Sequence, residues 1–255
     1  MKYYGMTDKG RKRENNEDTF ICEKIAKNAM VFVVCDGMGG EAGGAEASEL
    51  AIKSFINEIK VQTEEDIVAD RLVLDDPEAD VPMILDNALA EANFRVWQES
   101  QDVAELHGMG TTLVGAFVMT DPLAVWTVNL GDSRLYLVSE TKMSQVTKDH
   151  SYVQHLVDTG AITAAEAEKR TDRNIITKAV GISVRALPDI APLGAEKGEC
   201  LLLASDGLTD MLTNDEIYGV AALSGFSLEE RVNKLVSLAN DAGGDDNITV
   251  VMVEL

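Results

Sequence analysis

Carboxylates recur in this chain at turns where an apolar strand pattern begins or ends. Strand ends along one edge of a layered sheet can gather residues that are far apart in sequence. Carboxylates gathered in a cleft of low dielectric repel one another unless cations bind between them. Oxygen ligands without cysteine or histidine suit hard ions such as Mg²⁺ or Mn²⁺. The pattern therefore predicts a metal site, and the turns that carry it are Glu17-Asp18, Asp36-Gly37, Gly131-Asp132, Asp206-Gly207 and Asp245-Asp246.

The turn after the apolar run 31–35 also fits a second chemistry. Gly37 to Ala42 match G-x-G-x-x-A, the glycine pattern of dinucleotide-binding turns. Asp36 would then face a pyrophosphate, and no second strand with a terminal acid follows the helix expected at 45–60. We therefore favour the metal site, while bound NAD would revive the dinucleotide interpretation.

Other phosphate chemistries lack their motifs in this sequence. A cysteine-nucleophile phosphatase needs Cys-x5-Arg, an aspartyl-phosphate enzyme needs Asp-x-Asp, and a P-loop needs G-x4-G-K-[ST]. The residues six positions after Cys22, Cys35 and Cys200 are Asn28, Glu41 and Asp206, and the other two patterns do not occur.

Charge and hydropathy narrow the class of protein. The formal net charge of -22 argues against nucleic-acid partners, whose binding depends on contacts to phosphate. No apolar run approaches the about 20 residues of a membrane helix, and the N-terminal residues lack the apolar core of a signal peptide. We therefore expect a cytoplasmic protein without a membrane partner. The odd number of widely spaced cysteines predicts no disulfide framework and no zinc site.

Helical and strand patterns alternate in groups along the chain. Apolar stripes predict helices at 45–60 and 81–97, and capping-box pairs open two more, Thr213 with Glu216 and Ser227 with Glu230. Strands are expected at 3–7, 19–25, 30–35, 112–119, 124–130, 134–138, 200–204 and 247–254. This order predicts an α+β fold of antiparallel sheets with helices packed outside them.

The sequence predicts a particular local structure for each of three segments. Gly131-Asp132 is expected at the tip of a β-hairpin. The segment 64–80 carries eight acids and one Arg71, which predicts a solvated acidic loop. Residues 149–185 are expected to form a helix-rich flap. Without an internal repeat or a Pro/Ser-rich linker, residues 1–255 are expected to form one domain.

The motifs taken together resemble the metal-dependent (PPM, type 2C) serine/threonine protein phosphatases, especially their compact stand-alone bacterial members. The resemblance runs from residue 5 to the last strand, and six motifs in the same order are far more specific than any one of them. They are Arg13 with Glu17-Asp18, Asp36-Gly37-Met38-Gly39-Gly40, Gly108-Met109-Gly110-Thr111-Thr112, Gly131-Asp132-Ser133-Arg134, Ser205-Asp206-Gly207 and Asp246-Asn247.

The resemblance implies a four-layer α-β-β-α sandwich of two mostly antiparallel sheets, with two Mg²⁺ or Mn²⁺ ions at one end. Asp36 would bridge both ions, and the carbonyl of Gly37 would bind one of them. Asp206 and Asp246 would complete the shell of the other ion. Asp18 would hold metal-bound water.

Two further positions follow from the resemblance. Asp132 matches the site of a third, more weakly bound ion. Asn174 in the flap is a candidate further ligand at that site. Arg13 falls on the phosphate-binding arginine, and the densest basic cluster of the chain surrounds it, with Lys9, Arg11 and Lys12 expected to be solvated.

The implied activity is hydrolysis of phosphoserine and phosphothreonine in proteins by a bridging water that the metal ions activate, without a phosphoenzyme. The implied setting is a monomer that reverses the action of a bacterial serine/threonine kinase. The alternative is a catalytically idle relative that serves as a binding or sensing module, and the intact aspartates argue against it.

Met38 is the one departure from the family pattern. Many eukaryotic relatives carry a histidine there that is thought to protonate the leaving group, and a methionine cannot do so. The general acid is therefore unassigned. His150 is a second-rank candidate, because a structural role on the surface or in the core is the better interpretation of this histidine.

Overall fold

The computed structural model describes residues 1–39, 43–167, 170, 172 and 174–255. The dinucleotide pattern at 37–42 and the motif from Asp36 to Gly40 therefore each lie partly outside the described residues. The strands β1 to β14 are Lys2–Asp8, Thr19–Ala26, Ala29–Cys35, Gly37–Met38, Ile67–Val68, Arg71–Leu72, Gly110–Thr111, Leu113–Thr120, Leu123–Leu130, Arg134–Val138, Met143–Gln145, Asp189–Leu193, Cys200–Ala204 and Ile248–Glu254. The helices α1 to α7 are Gly43–Thr63, Pro77–Asp102, Tyr152–Asp158, Ala164–Ala167, Asp206–Thr209, Asn214–Ala221 and Leu228–Asp241, with a 3₁₀ turn at Ala104–Leu106.

Two five-stranded antiparallel sheets form the centre of the molecule. The first has the strand order β1-β14-β13-β10-β11, and the second has the order β12-β9-β8-β3-β2. Side chains on β3 alternate between the two faces, as strand geometry requires. Phe32 and Val34 pack between the sheets against residues such as Val251, whereas Val31 and Val33 face outward.

Helices cover the outer face of each sheet. Phe55 on α1 and Leu85 on α2 pack with the outward residues of the second sheet. Ile217 on α6 and Leu235 on α7 pack with those of the first sheet, including Leu202. The four layers confirm the predicted α-β-β-α sandwich. Both predicted capping boxes are formed, with each N-cap and N3 side chain bonded to the other's backbone amide.

The prediction of a β-hairpin at Gly131-Asp132 is wrong. β9 belongs to the second sheet and β10 to the first, so the turn carries the chain from one sheet to the other. Gly131 has a φ of +127°, and a Cβ there would lie 2.6 Å from the side chain of Thr112. Only glycine fits at this position, because the chain passes from one sheet to the other in contact with Thr112, which directly precedes the strand β8.

The acidic segment 64–80 is more ordered than the predicted solvated loop. It contains the hairpin β5–β6, in which Leu72 is buried and hydrogen bonded through both backbone groups to the Asn28 side chain. Its last residues belong to α2, which begins at Pro77, earlier than predicted. Pro77 in the first turn and the acids that follow it favour this start.

The segment 149–185 contains α3 and α4 and then returns to the body of the molecule. Isolated bridges join Ser151 to Ile176 and Thr111 to Val180, and Val180 is buried in the core. Residues 168, 169, 171 and 173 of this segment lie outside the described residues. Within the part of the chain that the structure describes, no helix has the length and apolar character to cross a membrane.

Candidate active site

Asp36 follows the buried strand β3, and a set of backbone contacts fixes its loop. The strand β4, directly after Asp36, pairs with β7. The Asp36 amide donates to Thr112 Oγ1 at 3.0 Å. Its carbonyl accepts from the Thr112 amide at 2.9 Å and from Thr111 Oγ1 at 2.8 Å. The junction of β7 and β8 therefore positions Asp36, a role that the sequence analysis did not assign to the threonines.

Gly37 lies where three backbone segments meet. A Cβ at this position would lie 2.1 Å from the Gly44 carbonyl oxygen in α1 and 2.7 Å from that of Glu17. Only glycine allows this approach without moving the first turn of α1. The requirement for Gly37 is therefore structural, whether or not its carbonyl binds an ion.

Asp206 and Asp246 come together because β13 and β14 are paired neighbours. Asp206 follows β13 as the first residue of α5, and Asp246 precedes β14. A Cβ on Gly207 would lie 1.9 Å from the Asn247 carbonyl oxygen, which shows how closely the two turns pack. The Asp246 side chain accepts from the Asn247 amide at 2.8 Å.

The side chain of Asn247 ties the N-terminal loop to the same turn. Its Oδ1 accepts from the Glu17 amide at 2.8 Å, and its Nδ2 donates to the carbonyls of Lys9 and Asn15 at 2.9 Å each. These bonds hold the loop that carries Arg13 and Asp18. The sequence motif contained Asn247, but this role depends on contacts more than 200 residues apart.

Asp18 is buried and receives a direct hydrogen bond from Ser205. Ser205 Oγ donates to Asp18 Oδ2 at 2.7 Å and accepts from the Thr249 amide at 3.0 Å. Ser205 therefore links Asp18 to the strand ends that carry Asp206 and Asp246. Its position before Asp206 in the motif was the available signal for this role.

Asp132 is 7% exposed, and both ends of its turn are held. The Gly131 amide donates to His150 Nδ1 at 3.1 Å, and the His150 amide donates to the Gly131 carbonyl at 2.8 Å. On the other side, the hydroxyls of Ser133 and Thr112 lie 2.7 Å apart. Thr112 thus contacts both the Asp36 loop and the Asp132 turn.

The aspartates are close enough to change one another's pKa. Burial raises the pKa of Asp206 to about 6, with repulsion from Asp246 and Asp210 adding to it. Burial raises the pKa of Asp18 to about 7, and Asp206 and Asp246 add to that rise. Hydrogen bonds from Ser205 and Thr249 oppose it.

Asp132 and Asp36 show the same behaviour. Burial, followed by repulsion from Asp206 and Asp149, raises the pKa of Asp132 to about 8. Burial raises the pKa of Asp36 well above its usual value, with repulsion from Asp18, Asp206 and Asp132 next in size. Asp206 is thus among the carboxylates whose charge is felt at Asp36, and protons or cations must offset these charges.

The oxygen atoms of this site fit hard cations. Buried Oδ1 atoms of Asp18, Asp132 and Asp206 have no hydrogen-bond partner among the described residues. Within those same residues, no three carboxylate, imidazole or thiol side chains form a ready-made ion cage. Mg²⁺ is usually held by one or two carboxylates and several waters, so a complete cage of protein ligands is not required.

Arg13 lies at the edge of this cluster. Its Nη2 is 2.6 Å from Asp246 Oδ2, and 55% of its side chain is exposed. The neighbouring Lys12 pairs with Asp245 at 2.7 Å. A half-exposed guanidinium beside the aspartates can bind an anion that arrives from solvent, because its planar fork matches phosphate oxygens.

A cavity of about 750 Å³ opens beside Asp132 and Asp206. Residues of the helices α3 and α4 and of the segment from Thr209 to Asp215 line it. Asn174 lines the same cavity as Asp132.

Neither Met38 nor His150 is placed as a proton donor. Met38 is half-buried and has no titratable group. His150 is 8% exposed, with Nδ1 accepting from the Gly131 amide and Nε2 3.3 Å from Asp189 Oδ2. Burial lowers the pKa of His150, and repulsion from Lys178 lowers it further. His150 is thus a core histidine that supports the Asp132 turn.

Comparisons with known proteins agree with this geometry. A family model described as "Protein phosphatase 2C" matches residues 7–248. Protein phosphatase PhpP of Streptococcus pneumoniae is 36% identical over 250 residues, which cover 98% of this chain and 96% of that protein. Serine/threonine phosphatase stp of Listeria welshimeri is 33% identical over 248 residues, 97% of this chain and 93% of that protein.

Solved structures show the same fold. The catalytic domain of the serine/threonine protein phosphatase PstP, in complex with 2 manganese ions, superposes with a TM-score of 0.80 at 31% identity and covers 99% of this chain and 97% of that chain. Phosphatases of this type use metal ions and act on phosphorylated proteins. Because the family model and the relatives span nearly the whole chain, this chain belongs to the protein phosphatase 2C family and is a serine/threonine protein phosphatase.

Proposed function

We propose that Asp36, Asp206 and Asp246 hold two Mg²⁺ or Mn²⁺ ions, with Asp36 shared between them. The carbonyl of Gly37 would bind one ion, and Asp18 would act through a water molecule. The observation that carries this proposal is that Asp36 is repelled by Asp18 and Asp206, whose buried Oδ1 atoms have no hydrogen-bond partner among the described residues. Divalent cations relieve that repulsion directly.

Asp132 is proposed as the ligand of a third, weaker ion. It lines the same cavity as Asp206, and its Oδ1 has no partner among the described residues. Its pKa of about 8 means that an ion at this position competes with a proton at neutral pH.

The protein groups position the phosphate ester. Bound ions would lower the pKa of water near to neutrality and polarise the phosphoryl oxygens. Arg13 would bind the phosphate oxygens and orient the ester. The Thr111 and Thr112 contacts hold Asp36 in place while this occurs. We assign no general acid to this chain.

The biological setting is part of the proposal. We infer that residues 1–255 act as one monomeric phosphatase domain in the cytoplasm, with 149–185 as a flap. Among its phosphorylated substrates we include a cognate serine/threonine kinase, as expected from the resemblance. The idle-module alternative is not favoured, since relatives named as phosphatases match 97% and 98% of the chain.

Metal content and turnover test the proposal together. The chain is stripped with EDTA, reloaded with Mn²⁺ and assayed by elemental analysis and by hydrolysis of para-nitrophenyl phosphate. We expect at least two ions per chain and turnover only after reloading. Turnover that survives complete removal of divalent metal would contradict the proposal.

A further inference from the structure

The cavity beside Asp132 and Asp206 is lined by more aspartates than the proposed metal site uses. Five aspartates line it, and Arg134 is the one cation among its described lining residues. Arg134 is already bonded to Asp149, with Nε–Oδ1 at 2.9 Å and Nη2–Oδ2 at 2.6 Å. Of the other four, Asp132 and Asp206 belong to the proposed metal site, and Asp210 and Asp215 are the acids that this site does not use.

The acids of the cavity fall into two groups. Asp132, whose side chain is only 7% exposed, and Asp206 belong to the metal cluster proposed above. Asp210 directly follows α5, and Asp215 lies in the first turn of α6. Asp215 is exposed and follows the N-cap Thr213 by two residues.

The helices of 149–185 contribute mostly apolar side chains to the lining. Val153 and Val157 on α3 and Ala164 and Ala167 on α4 are among them, together with the polar Gln154, and Met211 and Leu212 lie beside the acids. A lining that combines apolar and acidic side chains matches a long side chain with an aliphatic stem and a cationic head. Lysine and arginine are the side chains with that division.

We propose that this cavity binds a lysine or arginine side chain of the phosphorylated protein, close in sequence to the phosphorylated residue. The stem packs on Val153 and Val157, and the cationic head lies near Asp215. This inference rests on the proposed function, because the cavity adjoins the scissile phosphate only if Asp206 belongs to the metal site. It gives the 149–185 segment a role in substrate selection.

Matched phosphopeptides test the inference. One series carries a single arginine at successive positions on either side of phosphothreonine, and the other carries citrulline, its neutral isostere, at the same positions. We expect one or two positions at which arginine raises kcat/KM by about threefold, the range of a partly solvated ion pair. Equal kcat/KM for both series at every position would overturn the inference.

Asp215 and Glu229 form a matched pair for the variants. Each is an exposed acid at the second position of a helix that begins with a capping box, but Glu229 lies in α7, away from the lining of the cavity. Asp215→Lys should abolish the preference for arginine or reverse it, and Asp215→Asn should remove most of it. Glu229→Lys should leave it unchanged. An arginine preference that persists in Asp215→Lys would overturn the assignment.

Hydrolysis of para-nitrophenyl phosphate separates the two proposals. This small ester carries no basic side chain to contact Asp215, so Asp215→Lys, Asp215→Asn and Glu229→Lys should all hydrolyse it at the unaltered rate. If the unaltered chain loaded with Mn²⁺ does not hydrolyse this ester, the result contradicts the proposed metal site itself. A normal rate without any arginine preference would count against the cavity alone.

Discussion

Arg13 and Asp246 form an ion pair although 233 positions separate them in the chain, with Nη2 2.6 Å from Oδ2. The pair joins the proposed phosphate-binding group directly to a proposed metal ligand. Asn247 makes this possible, because its side chain holds the backbone on both sides of Arg13. Substrate binding and metal binding therefore share one small region of the fold.

Arg13→Ala should raise KM for a phosphopeptide by about tenfold, the loss expected for one charge-assisted hydrogen bond. If the guanidinium binds ground state and transition state alike, kcat should change little. Steady-state kinetics with Mn²⁺ measures both constants. Lys12→Ala is the matched control, since it breaks the adjacent 2.7 Å pair with Asp245 and should leave KM unchanged. A fall in kcat alone would show that the Arg13 contact belongs to the transition state.

Asp36→Asn should nearly abolish turnover while the protein stays folded. The substitution keeps the shape of the side chain but removes the charge proposed to be shared by two ions. It also removes a charge that Asp18, Asp206 and Asp132 repel. In EDTA, the melting temperature of the variant should therefore rise, by about 3 °C for each kcal/mol gained.

Asp86→Asn is the control for Asp36→Asn, because Asp86 is an exposed residue of α2 with the same change in formal charge. It should alter neither turnover nor melting temperature. An unchanged rate in Asp36→Asn would contradict the shared role of Asp36.

The metal-free protein should lose stability as pH rises through the neutral range. The folded-state pKa values of Asp206, Asp18 and Asp132 are about 6, 7 and 8, all above the usual 3.8. Between pH 4 and pH 8 the folded chain therefore holds protons that the unfolded chain has released. The free energy of unfolding must then fall with rising pH, since its slope follows the difference in bound protons.

Urea unfolding in EDTA at pH 5, 6, 7 and 8 measures this dependence. The contribution of the three aspartates should be complete below pH 4 and lost by pH 8 to 9. Added Mn²⁺ should restore stability most at the higher pH values, because the ions replace the protons. Asp132→Asn should flatten the upper part of the curve. A metal-free stability that rises from pH 6 to 8 would contradict the raised pKa values.

Ser205→Ala should weaken both stability and metal binding. It removes the donor to Asp18 Oδ2 and the acceptor of the Thr249 amide, and leaving buried polar groups without partners costs about 2 kcal/mol. The pKa of Asp18 should rise further without the hydroxyl, so calorimetric Mn²⁺ affinity should fall more at pH 7 than at pH 8.5. Ser100→Ala is a buried control outside the site and should lower stability only.

The sequence predicted the parts of this protein that local chemistry decides. Every predicted strand is present within one or two residues, and both capping boxes opened helices where expected. The edge strand β12 was missed because it contains Pro192, which a strand tolerates only at an edge or a bulge. The Gly131 turn was misread because a hairpin and a change of sheet share the same local sequence.

The proposed ligands were found from their types, but their supports were not. Aspartate beside glycine at a strand end is visible in one sequence, and the family motifs ordered those positions. Ser205, Asn247 and Thr112 act through hydrogen bonds to residues 76 or more positions away. Such partners follow from sheet order, so the motifs could mark Ser205, Asn247 and Thr112 but not the residues to which they bond.

Thr112→Val should lower kcat with little effect on KM. The valine keeps the shape of the side chain but leaves the Asp36 amide without its acceptor and breaks the 2.7 Å contact to Ser133. Asp36 should then shift within the site, and small displacements of this kind reduce rates by large factors. Thr112→Ser restores the hydroxyl and should recover most of the rate.

Thr63→Val separates positioning from stability. Thr63 is also fully buried, and its hydroxyl bonds to the Ile59 carbonyl within α1. Both valine variants should lose stability by about 1–2 kcal/mol in urea unfolding. Only Thr112→Val should lose turnover when each variant is assayed well below its melting temperature. If Thr63→Val loses as much kcat as Thr112→Val, the threonine at 112 stabilises the fold without positioning Asp36.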